Sequence, residues 1–177
     1  MNNLLIQNTF RFVFFILLQV FIFNNINFGG YINPNPYILF ILLYPIDANK
    51  NLFLLASFTL GLVMDMFMDT AGVHATACLV LAYFRPTILK YTFGLSYEYQ
   101  TVKIADKINT ERFMYLLVSI VLYNTVLFFL EIFNFNFLWT IIARIIFSTI
   151  LTLLISIIII YLIKPNKWSE KAYFQQS

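Results

Sequence analysis

Lysine and arginine are missing from every second gap between the apolar runs of this chain, and that absence is its most informative feature. Of 11 basic residues, all but Arg144 lie at Arg11, at Lys50, between Arg85 and Arg112, or beyond Ile163. The gaps at 24–35, 65–74 and 131–136 hold carboxylates, amides and the single histidine, but no Lys or Arg. Loops that stay in the cytoplasm retain Lys and Arg, whereas translocated loops are depleted of them. The alternation therefore predicts an all-α, polytopic membrane helix bundle with both termini in the cytoplasm, a multi-pass protein of the bacterial inner membrane.

Other shortages narrow the function. Charged residues make up only 11% of the chain and hydrophobic ones 61%, with mean hydropathy +0.82, whereas a soluble domain is about 25% charged. The length of 177 residues is used up by the crossings, so 1–177 is expected to be one integral membrane domain. A lone cysteine, Cys78, excludes an internal disulfide and a cysteine-rich metal site. The net charge of +3 is small and its placement is explained by topology, so no nucleic acid partner is expected. Residues 10–23 are apolar but are followed by Asn24, Asn25, Ile26 and Asn27 without a small-residue cleavage pattern, so a cleaved leader is not expected.

The apolar runs place candidate membrane helices at 10–28, 37–46, 51–68, 71–89, 113–133 and 137–163, a cytoplasmic loop at 90–112 and a cytoplasmic tail at 164–177. Gly29, Gly30 and the Asn33-Pro34-Asn35-Pro36 run break any helix between the first two. Residues 37–46 are the short member. Ten helical residues rise about 15 Å against a hydrocarbon core of about 30 Å, and Pro45 ends or kinks the segment. Counting it as a short second span puts Arg11 and Lys50 on the same cytoplasmic side. Counting it as re-entrant leaves five spans and moves Arg11 outside. Six is the expectation. Loop 90–112 interleaves Lys103, Lys107, Glu98 and Asp106 with tyrosines and reads as a solvated charged loop, or else as a membrane-surface or docking segment.

Charges at membrane depth are costly and need partners. Gly61, Asp65 and Asp69 recur at four-residue spacing and share one helix face. Gly61 admits the close approach of a neighbouring backbone, Thr70 to Gly72 forms a turn, and His74 opens the next helix. Two carboxylates and one histidine are too few to define a metal or acid–base site, so no metal, cofactor or catalytic residue is expected. Arg144 lies about 10 Å below the outer surface, at a depth similar to Asp65. That predicts an Asp65–Arg144 ion pair or water-bridged contact closing the third helix on the sixth. The alternative is that Arg144 snorkels outward or pairs with Glu131. Arg85 is expected to be a snorkelling cytoplasmic anchor, and Gln19 and Asn124 to make helix–helix hydrogen bonds.

The stretch Gly61-Leu62-Val63-Met64-Asp65, then Thr70-Ala71-Gly72-Val73-His74 and Ala82-Tyr83-Phe84-Arg85-Pro86, resembles the rod shape-determining MreD family, in its Bacteroidetes-type version. Those residues carry the likeness from 61 to 86, and the rest matches as a hydropathy pattern. The resemblance implies a non-enzymatic membrane scaffold of the cell-elongation complex. It would link the bitopic partner MreC, and the elongation glycosyltransferase and penicillin-binding protein that build lateral peptidoglycan, to the MreB filament, within membrane lipid. Gly61, Asp65, Gly72 and Arg85 carry over in a structural role.

Two other functions compete. The substrate-binding S component of an energy-coupling-factor vitamin transporter is also a six-helix protein of this size. It would present an outward pocket, which Asp65, Asp69, His74 and Arg144 could line. An intramembrane enzyme is disfavoured, because the Gly-x-Gly-Asp pattern of intramembrane aspartyl proteases is missing and the single His leaves no nucleophile–base arrangement.

Overall fold

The computed structural model describes residues 2–25, 33–46, 48–94, 109–132 and 138–163, and among these the chain is helical with no strand. Most of the loop at 90–112, the tail at 164–177 and the glycine pair at 29–30 lie outside the described residues. The five long helices are α1 (Asn2–Phe21), α3 (Lys50–Met68), α4 (Val73–Phe93), α5 (Thr110–Ile132) and α6 (Leu138–Ile163). Between α1 and α3, among the described residues, sit two 3-10 turns, Phe23–Asn25 and Pro36–Ile38, and the four-residue α2 (Leu39–Leu42).

Local chemistry sets these boundaries. Pro36 stands at the start of the 3-10 turn, where its missing N–H leaves nothing unsatisfied. Pro45 has no N–H to extend α2, and the residue before a proline is pushed out of the helical region. At α3 the Asn49 side chain accepts from the Asn51 N–H at 3.0 Å, and at α5 Asn109 accepts from the Thr110 N–H at 2.8 Å. Both are amide caps of orphan helix donors. α4 runs through Pro86 to Phe93 and stops at Gly94, which has φ +50°. It thus ends four residues beyond the 89 that the hydropathy pattern suggested.

α3 and α4 form a hairpin, α4 packs on α5, α5 on α6, and α1 lies against α3 and the 36–42 segment. At the centre is residue run 34–42, every member of which is buried; Tyr37 to Leu42 are at most 4% exposed. The segment expected at 37–46 as a short second helix is therefore not a continuous helix. About 12 Å of helical rise is followed by a bend, and the whole run is enclosed by the other helices. Non-helical backbone is tolerated at membrane depth only under such enclosure, where side chains replace the missing ladder.

The bundle has an apolar core with polar side chains set into it, and its outer surface is apolar as well. Gln19, Asn35, Ser57, Ser119, Asn124, Ser148, Thr152 and Ser156 are buried, while Met66 on α3 is 75% and Leu162 on α6 is 79% exposed. So many large apolar side chains on the outer helix faces depart from the usual soluble pattern. The helices Lys50–Met68, Thr110–Ile132 and Leu138–Ile163 are long and apolar enough to cross a membrane.

Candidate functional site

The α3–α4 turn is built around Asp65. Its Oδ1 accepts from the His74 N–H at 2.9 Å and from the Thr70 hydroxyl at 2.5 Å, and its Oδ2 accepts from the Ala75 N–H at 2.8 Å. The residue at the N-cap of α4 is Gly72, which has no side chain to offer. A carboxylate one turn from the end of α3 therefore caps α4 from across the hairpin. It supplies both the hydrogen bonds and the negative charge that a helix N-terminus favours. Asp69 is exposed and takes the left-handed conformation (φ 54°) that ends α3. Substitution Asp69→Gly removes the Cβ penalty of that conformation, and is expected to raise the thermal midpoint by an amount equivalent to about 0.5–1 kcal/mol, read by thermal unfolding in detergent.

Gly61 sits one turn before Asp65 with the backbone of α4 directly over it. A Cβ built there would lie 2.5 Å from the Ala75 Cα and 2.5 Å from the His74 carbonyl oxygen. The glycine is what lets the two backbones approach closely enough for the Asp65 carboxylate to reach the first turn of α4.

Beneath this turn, side chains from the surrounding helices take up the backbone of the central segment. Gln19 on α1 donates to the Pro34 carbonyl at 3.1 Å, Ser148 on α6 donates to the Asn33 carbonyl at 3.0 Å, and the Asn35 N–H donates to the Thr152 hydroxyl at 3.1 Å. The Tyr37 hydroxyl meets His74 Nδ1 at 2.8 Å and also bonds the Tyr123 hydroxyl, which itself lies 2.9 Å from His74 Nδ1. α4, α5 and the central segment are thereby joined at one point.

The far end of the segment belongs to Arg85. It is 4% exposed, so it is a core residue and not the snorkelling anchor its position suggested. Its Nη2 donates to the Leu42 carbonyl at 3.2 Å and to the Tyr44 carbonyl, and its Nε donates to the Tyr115 hydroxyl at 3.1 Å. Tyr115 in turn donates to the Leu42 carbonyl at 3.1 Å, and the Phe53 ring lies 5.1 Å from the guanidinium carbon. The carbonyls freed where α2 ends need donors, and a fork of N–H groups supplies several at once. A snorkelling Arg could not do this.

For Arg144 the structure follows the alternative of a Glu131 pair and not the expected Asp65 contact. Arg144 pairs with Glu131 at 3.0 Å across the α5–α6 hairpin, while the Asp65 oxygens are taken up within the α3–α4 turn. Among the described residues, the contact shown for Arg144 joins α5 to α6 and not α3 to α6. A double-mutant cycle on Asp65→Ala and Arg144→Ala is accordingly expected to give losses that add within about 0.5 kcal/mol in detergent unfolding. The Asp65 substitution alone should cost about 1–2 kcal/mol, as the loss of a helix cap does.

Around Glu131 and Arg144, the turn after α1, residues 33–35, the ends of α3 and α5 and the starts of α4 and α6 line an open cavity of about 430 Å³. Its polar wall is Asn24, Asn33, Asn35, Thr70, His74, Glu131 and Arg144, and its apolar wall is Phe67, Met68, Leu127 and Phe128. Asp65 and Asp69 do not line it. Of the residues singled out in the sequence, Gly61, Asp65, Gly72 and His74 converge on the hairpin turn, His74 and Arg144 share the cavity, and Arg85 stands apart. Among the described residues no group of three His, Cys, Asp or Glu side chains could hold a metal ion.

Sequence reasoning missed Tyr37, Tyr115 and Tyr123, three tyrosines fully buried within apolar runs. A phenol deep in a membrane-length helix carries a hydroxyl that must find a partner, and that signal was present. Asn124 makes the expected helix–helix bond, to the Thr149 hydroxyl at 3.0 Å, whereas Gln19 bonds the non-helical Pro34 carbonyl instead. No family model matches the chain, nor does any curated protein or solved structure.

Proposed function

We propose that this chain is a multi-pass protein of the bacterial inner membrane that acts as a non-enzymatic scaffold of the cell-elongation complex, in the manner of the MreD proteins it resembles. The carrying observation is where the residues of the resemblance go. Gly61, Asp65, Gly72 and His74 close the α3–α4 hairpin, and Arg85 anchors the central segment. All are spent on holding one rigid bundle together, which leaves the apolar outer helix faces to meet lipid or the transmembrane helices of MreC and the synthases.

Six crossings with both termini cytoplasmic belong to the same proposal. Its support is the path of residues 33–46, which pass from the level of His74 and Thr152 to that of Arg85 and Phe53. His74 and Arg85 are eleven residues, about 16 Å, apart along α4. A short buried crossing of this kind returns the chain to the side on which α1 began. Cysteine accessibility at Tyr97 and Lys171 tests the topology, and periplasmic labelling of either defeats it.

Depletion in the source cell tests the role. Loss of cell elongation, with crosslinks from α3 to MreC, is expected; unchanged shape refutes the scaffold. One observation favours a second reading, a solute-binding subunit like the S component of a vitamin transporter, and it is the cavity of about 430 Å³ with its amide, hydroxyl, imidazole and charged lining. Loss of vitamin uptake with normal elongation on depletion would select it.

A further inference from the structure

We propose that the cavity at the Glu131 end of the bundle seats the headgroup of a zwitterionic phospholipid, with an ammonium and a phosphate on one molecule. Its volume of about 430 Å³ falls in the range of small-ligand sites, about 300–1,000 Å³. The proposal rests on reading the bundle as membrane-spanning and is independent of any scaffold role.

Three features select this chemistry. The first is depth. Thr70 lies in the α3–α4 turn, Glu131 in the last turn of α5 and Arg144 in the second turn of α6, so the cavity opens where helices end and headgroups begin. The second is paired charge. Arg144 and Glu131 are 20% and 41% exposed in their side chains and 3.0 Å apart. An exposed pair of this kind is weak, so each member can exchange it for the opposite charge of a zwitterion. The guanidinium suits a phosphate and the carboxylate suits an ammonium. Asn35 adds to the ammonium side. It lines the cavity, is 2% exposed, and its Oδ1 has no hydrogen-bond partner among the described residues, a buried acceptor whose pairing with a donor is favourable.

The third feature separates a lipid from a soluble zwitterion. Phe67 and Leu127 form part of an apolar wall, and Phe67 is 58% exposed on the outer face of α3. The wall is continuous with the surface that acyl chains would cover.

Native mass spectrometry of the full chain in detergent tests this, with phosphatidylethanolamine, phosphatidylglycerol of the same acyl chains, and soluble phosphoethanolamine as probes. One phosphatidylethanolamine should be retained in preference to phosphatidylglycerol. Glu131→Gln and Arg144→Gln should each weaken its retention about tenfold, the cost of one charged hydrogen bond, with helicity by circular dichroism unchanged. Equal retention of both lipids, or retention unaffected by the two substitutions, overturns the proposal. Binding of soluble phosphoethanolamine as tight as that of the lipid also overturns it, in favour of a free solute. Release of the protein from membranes by alkaline carbonate would instead defeat the membrane-spanning premise, a failure distinguishable from the others.

Discussion

Arg85→Leu is expected to lower stability by about 2–3 kcal/mol, the scale on which leaving a buried acceptor without its donor acts. Leucine fills part of the volume but donates nothing. The Tyr44 carbonyl then loses the donor the structure gives it, and the Leu42 carbonyl keeps only Tyr115. Individual hydrogen bonds within membranes average only about 0.6 kcal/mol, because the unfolded chain in lipid also finds partners. The effect here exceeds that average because a single guanidinium serves two carbonyls and a hydroxyl and stacks on Phe53. Arg85→Lys keeps the charge but not the fork, and should recover less than half of the loss. Thermal unfolding in detergent, with proteolysis of the 33–46 segment as a local probe, measures both. A leucine variant as stable as the parent would show that the segment does not need its anchor.

What could be read from the sequence and what could not divide along a physical line. The apolar runs and the alternation of Lys and Arg located α3, α5 and α6 to within three residues at each end, because helix-length hydrophobicity is a local property. The role of Gly61 as a contact glycine was also visible, since its spacing to Asp65 places both on one face. The central segment was not. Ten apolar residues broken by Pro45 are too few to dictate a path, which is held by surrounding hydroxyls and amides. They come from residues as distant in sequence as Gln19, Ser148 and Thr152.

The Asp65–Arg144 expectation failed for a similar reason. Depth along the helices put both charges toward the same end of the bundle, but depth alone does not choose a partner. Asp65 faced two unsatisfied N–H groups at the start of α4, a few residues away in sequence. Arg144 had Glu131 across the five-residue α5–α6 connection. Local partners form at lower entropic cost than distant ones. Arg85 was misjudged because an arginine followed by proline resembles the end of a helix. In the bundle, α4 continues for a further two turns, which carries Arg85 inward.

Gly61→Val is expected to cost about 3 kcal/mol, the upper end of what overpacking a core does, and to separate the α3–α4 hairpin. The atoms that the new side chain meets are the Ala75 Cα, the Ala75 nitrogen and the His74 carbonyl oxygen, all backbone and all within 2.7 Å of the first added carbon. No rotamer change can relieve such a contact, so the helices themselves must move apart. The same movement draws Asp65 away from the His74 and Ala75 N–H groups and loosens His74 from Tyr37 and Tyr123. Sterics at one position thereby reach the central segment.

Gly72→Ala supplies the contrast. Nothing lies within 4 Å of a Cβ there, but φ is +84°, so its cost is the backbone penalty alone, about 1–2 kcal/mol, with the hairpin still closed. Thermal unfolding ranks the two substitutions, and a disulfide engineered between α3 and α4 reports their separation. If Gly61→Val formed that disulfide as readily as the parent while Gly72→Ala did not, close backbone approach would not be what holds this turn together.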